Sequence, residues 1–86
     1  MAERILSGSQ IRAARALIKW SAADLARHAS LGVNTIRRAE IGEKTSLTAA
    51  NESAIRRALE SVGVEFIDEN GGGPGVRLRK RLGKGD

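Results

Sequence analysis

The residues with most chemistry to offer lie in the stretch Val33-Asn-Thr-Ile-Arg-Arg-Ala-Glu40. Asparagine can hydrogen-bond adenine bidentately, arginine can do so with guanine, and a valine or threonine methyl can meet a thymine methyl. At helical spacing Ile36 and Ala39 point inward, leaving Val33, Asn34, Thr35, Arg37 and Arg38 on the outer and leading face. These five are the expected base-facing set. Arg38 also has a structural reading, an intramolecular ion pair with Glu40. Phosphate contacts are expected from around this stretch: Lys19 and Ser21 before it, Arg27 on an exposed side, and Lys44 and Thr45 after it. Helix N-termini add backbone N–H donors. Arg12, Arg15, Arg56 and Arg57 read instead as solvated helix faces.

Other chemistry finds no support. No nucleophile, base and orienting group converge, and no carboxylate cluster has ligand spacing, so an enzyme is not expected. His28 is the only histidine and there are no cysteines, so no metal site or cofactor is expected either. His28 beside Asp24 reads as a surface pair. The run Gly71-Gly-Gly-Pro-Gly75 lacks the following Lys-Ser/Thr and the strand-to-helix setting of a phosphate loop, and reads as a flexible loop.

Short helices must position these residues. Ser21, with Asp24 three places on, marks a capping-box start, and Leu25, Ala26 and Ala29 then share one face. The pattern breaks around Ser30–Gly32 and resumes with Ile36 and Ala39. Two helices of about eight residues bury little alone, so they must pack together and on a third element, with Ala26 allowing close approach. That arrangement is a helix-turn-helix, whose second helix is the one laid in the DNA major groove. Before it, Ser7 or Ser9 caps a helix to about Ile18, with Ile11, Ala14, Leu17 and Ile18 as its apolar stripe and Trp20 covering the core edge. After it, Gly42 ends the reading helix. A fourth helix begins near Thr48 or Asn51 and buries Ile55, Ala58, Leu59 and Val62.

Beyond Gly63 the period changes to alternation, the mark of half-buried strands. Residues 64–68 pair with 75–80 across a glycine-rich loop, giving a β-hairpin. A lone hairpin is marginal in water and needs the helices or a second copy of itself to cover its apolar face. Val64, Phe66, Val76 and Leu78 are therefore the expected dimerisation residues of a homodimer. The expected organisation is residues 1–63 as a helix-turn-helix domain, 64–80 as the hairpin and 81–86 as a disordered basic tail.

With 86 residues the chain is one domain with an aliphatic core, since Trp20 and Phe66 are its only aromatic residues. No run suits a membrane span and Met1–Ser9 lacks the apolar stretch of a signal peptide, so a cytoplasmic location is expected. The net charge is +5 with a pI near 10.8, which favours a polyanionic partner. Arg77, Arg79, Lys80, Arg81 and Lys84 against Asp86 place most of that charge after residue 75. This terminal run reads as a DNA-contacting arm, as a strand that pairs with a partner, or as a solubilising tail.

The block Gln10-Ile-Arg-Ala-Ala-Arg-Ala-Leu-Ile-Lys-Trp-Ser21, with Leu25-Ala26, Ala29, Leu31, Ile36, Arg38, Glu40 and Gly42, resembles the lambda-repressor-like (XRE-type) helix-turn-helix family. The resemblance covers about half of the chain, from Gln10 to about Ala58. It implies a five-helix or slightly smaller bundle that binds operator DNA as a dimer; the expected fold here is mostly α, a lambda-repressor-like bundle of about four helices, with the C-terminal β-hairpin after Gly63 lying outside the resemblance. The chain departs from that pattern at Ser30, where a glycine is usual, at Gly32, in place of a Ser or Thr cap, and at Ala22, in place of a glutamine. Two functions remain open. One is a sequence-specific transcriptional regulator, a repressor or autoregulator, reading an inverted repeat in double-stranded DNA. The other is a protein-binding module, an anti-activator or antitoxin that sequesters a partner through the C-terminal strand.

Overall fold

A computed structural model describes residues 6–41, 47–68 and 71–79. Its order is α1 (Gly8–Ile18), α2 (Ala22–Ala29), α3 (Val33–Glu40), α4 (Ala49–Glu60), β1 (Val64–Ile67) and β2 (Gly75–Leu78). The fold is mostly α, four helices among the described residues with a C-terminal antiparallel hairpin. No helix among them is long and apolar enough to cross a membrane.

Side chains that satisfy orphan N–H groups fix where the helices start. Ser7, not Ser9, caps α1: its Oγ accepts from the Gln10 N–H at 3.0 Å and the Gln10 Oε1 accepts from the Ser7 N–H at 3.0 Å. Leu6 and Ile11 occupy the flanking positions of a hydrophobic staple, and both are buried. Ser21 and Asp24 make the same reciprocal box at α2, and Thr48 Oγ1 caps α4 by accepting from the Asn51 N–H. Gly32 caps α3 with no side-chain bond. At the other ends Lys19 and Ser30 adopt left-handed φ values of 58° and 60°. Ser30 occupies a position where a side chain is strained, which is the physical reason a glycine suits it. Ile41 is the C-cap of α3; Gly42 lies outside the described residues.

The core is Leu6, Ile11, Ala14, Leu25, Ala26, Ala29, Ile36, Ala39, Ile55, Ala58, Leu59 and Val64, with Trp20 packed at its edge. Two residues expected inside are outside: Leu17 and Val62 are exposed. Val62 follows the end of α4, in the turn to β1, so its direction is no longer set by the helical stripe.

The hairpin is shorter than the sequence predicts, with Val64 opposite Leu78, Glu65 opposite Arg77, Phe66 opposite Val76 and Ile67 opposite Gly75. It packs on α1 through β2 and on α4 through β1. Gln10 Nε2 donates to the Gly75 carbonyl at 3.0 Å, and the Arg56 guanidinium lies 5.4 Å from the centre of the Phe66 ring. The helices of the same chain thus cover the apolar face. Val64 is wholly buried and unavailable to a second subunit, while Phe66 and Val76 pack against the core. This corrects the expectation for Val64, which cannot meet a partner; Phe66 and Val76 are half-buried and Leu78 is largely exposed.

The arginines read as solvated are also mostly engaged. Arg56 bonds Glu52 at 2.9 Å and lies 3.8 Å from Glu60. Arg12 and Arg15 both reach Glu40, as described below. Arg57 is exposed, as expected.

Candidate nucleic-acid interface

α3 is short, and its attachment decides which residues it presents. Ile36 and Ala39 are buried against the body, as their spacing predicts, and Glu40 joins them. α3 packs on α2 and α1. Its C-terminal end meets the N-terminal end of α1 at Gly8. A Cβ on Gly8 would overlap the Glu40 carbonyl oxygen and sit 2.7 Å from its carbon and 2.9 Å from the Ala39 oxygen. Only a residue without a side chain lets the two helix ends come this close. Arg12 Nη1 donates to the same Glu40 carbonyl at 2.7 Å.

Glu40 is also the centre of a charged lock. Arg15 Nε donates to Glu40 Oε2 at 2.7 Å and Arg15 Nη2 to Oε1 at 2.9 Å, a two-pronged pairing. Arg15 Nη1 donates to the Trp20 carbonyl at 3.0 Å. The hydrogen bonds it donates to Glu40, opposed by desolvation and aided by the carboxylate's charge, hold the Arg15 guanidinium above its ordinary pKa. Removing either partner would strand a largely buried charge, a loss of about 3 kcal/mol for such pairs. The predicted Arg38–Glu40 pair is thereby corrected, because the Glu40 carboxylate is already occupied by Arg15.

That substitution matters for the exposed face. Asn34, Arg37 and Arg38 are exposed, with Asn34 and Arg38 at i, i+4 and Arg37 beside them. Among the described residues neither arginine has an ion pair or side-chain hydrogen bond, and the one acid of α3 is used elsewhere. Both arginines lie in the last turn, where the helix dipole favours positive charge. Thr35 is half-buried, and Val33 is half-buried and packed against the core, so it presents less surface than the other base-facing candidates.

The phosphate candidates divide. Lys19 is exposed at the left-handed link between α1 and α2. Ser21 is exposed, its oxygen accepting from Asp24 N–H while its hydroxyl proton remains available. Arg27 is exposed but its Nη2 lies 3.2 Å from Asp24 Oδ1. Backbone and side-chain bonding at Ser21, then Arg27, hold the Asp24 carboxyl below its usual range. Lys44 and Thr45 lie outside the described residues, as do Lys80 and the basic tail at 81–86. His28 does not pair with Asp24; it stacks on Trp20, ring centres 4.2 Å apart and 12° from parallel.

Sequence reasoning missed Gly8, Arg15 and Glu40 as the residues that hold α3. The available signal was a lone acid closing an otherwise basic helix, an expensive neighbour for two arginines unless a partner elsewhere claims it. Among the described residues no group of acidic or histidine side chains could hold a metal ion. No family model matches the chain, and no curated protein matches it.

Proposed function

We propose that this protein is a small sequence-specific DNA-binding regulator that inserts α3 into the major groove. The observation that carries the reading is the α3 surface: Asn34, Arg37 and Arg38 are exposed and, among the described residues, chemically uncommitted, while Ile36, Ala39 and the Arg15–Glu40 lock fix the helix beneath them. Asparagine and arginine are the side chains best suited to bidentate contacts with adenine and guanine. The resemblance to lambda-repressor-like proteins supports the same reading, with an inverted repeat bound by two copies and repression by promoter occlusion.

Selection of bound duplexes from a random pool at about 150 mM salt tests it, because unspecific phosphate binding is weakened there. A palindromic motif is expected. Absence of any enriched sequence would overturn the reading and favour the second one, a module that sequesters a protein partner. That second reading draws on the hairpin, a two-stranded sheet whose outer edges are unpaired among the described residues. Arg37→Ala is expected to weaken the selected site by about 1–3 kcal/mol and to relax preference at one base pair, read by competition binding. Equal weakening on every sequence would make Arg37 a phosphate contact.

A further inference from the structure

We infer that the outer edge of β2 is a self-pairing surface, joining two copies of this chain in one four-stranded antiparallel sheet. The hydrogen-bond phase of the hairpin sets which groups are free. The Arg79 N–H donates to the Gly63 carbonyl at 2.6 Å, and the register runs Glu65 opposite Arg77 and Ile67 opposite Gly75. Those residues therefore turn their backbone groups inward, and Val76 and Leu78 turn theirs to the outer edge. Among the described residues β2 pairs with β1 alone.

Natural edges are blunted by proline, bulges or unpaired charge. Within Gly75-Val-Arg-Leu78 the one charged side chain, Arg77, is neutralised by Glu65 Oε1 at 2.8 Å. The flank of the edge is apolar. Leu78 is 48% exposed, and Leu17 of α1 is 40% exposed. Leu17 and exposed Ala13 share the helix face of Gln10, the residue that bonds β2, away from the face where Arg12 and Arg15 meet α3.

A two-fold axis at Arg77 satisfies this edge best. Val76 then pairs with Leu78 of the partner subunit and Leu78 with the partner's Val76, exchanging four backbone hydrogen bonds and covering Leu78 with an apolar neighbour. Shifting the axis to Val76 would place Leu78 opposite Pro74, which has no N–H to give. Shifting it to Leu78 would set Arg77 against Arg79 twice, whereas the chosen register has a single facing arginine pair, each already bonded to its own Glu65. The equivalent pairing through β1 gains no apolar cover, because Val64 is already buried and Phe66 lies under Arg56. The inference stands apart from DNA reading and is tested without DNA.

The chain has no cysteine, so single thiols report the register directly. Arg77→Cys would place two Cα atoms about 4.5 Å apart across the axis, a non-hydrogen-bonded pair, inside the disulfide range of ~4.4–6.8 Å. Under mild oxidation at tens of micromolar, Arg77→Cys should convert to a disulfide-linked dimer, and Glu65→Cys should not. The unmodified protein should sediment as a dimer, and Leu17→Lys with Leu78→Lys as a monomer with unchanged far-ultraviolet circular dichroism. A monomeric unmodified protein, no cross-link at position 77, or equal cross-linking at position 65 would overturn the inference.

Discussion

Single residues in this chain carry two kinds of tension, backbone strain and charge placement. Ser30 holds a left-handed φ of 60° that a side chain disfavours. Ser30→Gly is expected to raise stability by about 0.5–1 kcal/mol in chemical denaturation, the relief of strain being partly offset by the freer unfolded chain. Asp24 shows the second kind. Its carboxyl is held below the ordinary value of 3.8 by the bonds at Ser21 and by Arg27. A lowered native pKa means that the unfolded chain binds its proton first as the solution is acidified. The stabilisation from ionised Asp24 is therefore complete above the ordinary value and disappears as pH falls through the lowered one. Asp24→Asn should reduce the melting temperature at neutral pH and flatten the loss of stability on acidification, followed by thermal melts across that range.

At the scale of elements, the join between α1 and α3 decides the geometry. Gly8 permits backbone contact with Ala39 and Glu40, and Arg12 and Arg15 secure it. Gly8→Ala should cost about 3 kcal/mol, since the nearest atoms are backbone and cannot swing aside. If urea titration shows a change below 0.5 kcal/mol, about the scatter of neutral surface substitutions, that contact is not needed for folding. The starts of α2, α3 and α4 were legible in the sequence because caps and apolar spacing are local signals: Ser21 with Asp24, Ile36 with Ala39, Thr48 before Ile55. The α1–α3 lock was not legible. Arg15 and Glu40 are 25 residues apart, and nothing in their local spacing distinguishes a pairing across helices from two solvated faces. The hairpin was legible by alternation, but which surface would cover its apolar side depended on the packing of α1 and α4. Val64 consequently belongs to the core of its own chain.

For the whole molecule, charge is the long-range feature. The net +5 suits a polyanion, and its concentration after residue 75 separates the charge-rich end from α3 in sequence. If α3 reads DNA while flanking cations hold phosphates, then Lys44→Ala should lower affinity evenly across sequences. It should also flatten the dependence of log affinity on log salt by about one unit. A change confined to one sequence would instead assign Lys44 to base contact. The outer face of α3 was legible in outline from its spacing, with Asn34, Arg37 and Arg38 exposed as expected. Val33 is half-buried, because a helix start that leans on the core draws its first side chain inward.

Gln10 holds both ends of a seam. Its carboxamide oxygen receives the Ser7 N–H, and its amide nitrogen reaches across 65 residues of sequence to Gly75. Beside it Gly8 touches the tail of α3. The hairpin therefore cannot be peeled away without also loosening the fastening at the beginning of α1, two residues from Gly8, where the end of α3 is anchored. A chain cut before Gly75 would surrender that fastening, so the hairpin is also a clasp on the start of α1.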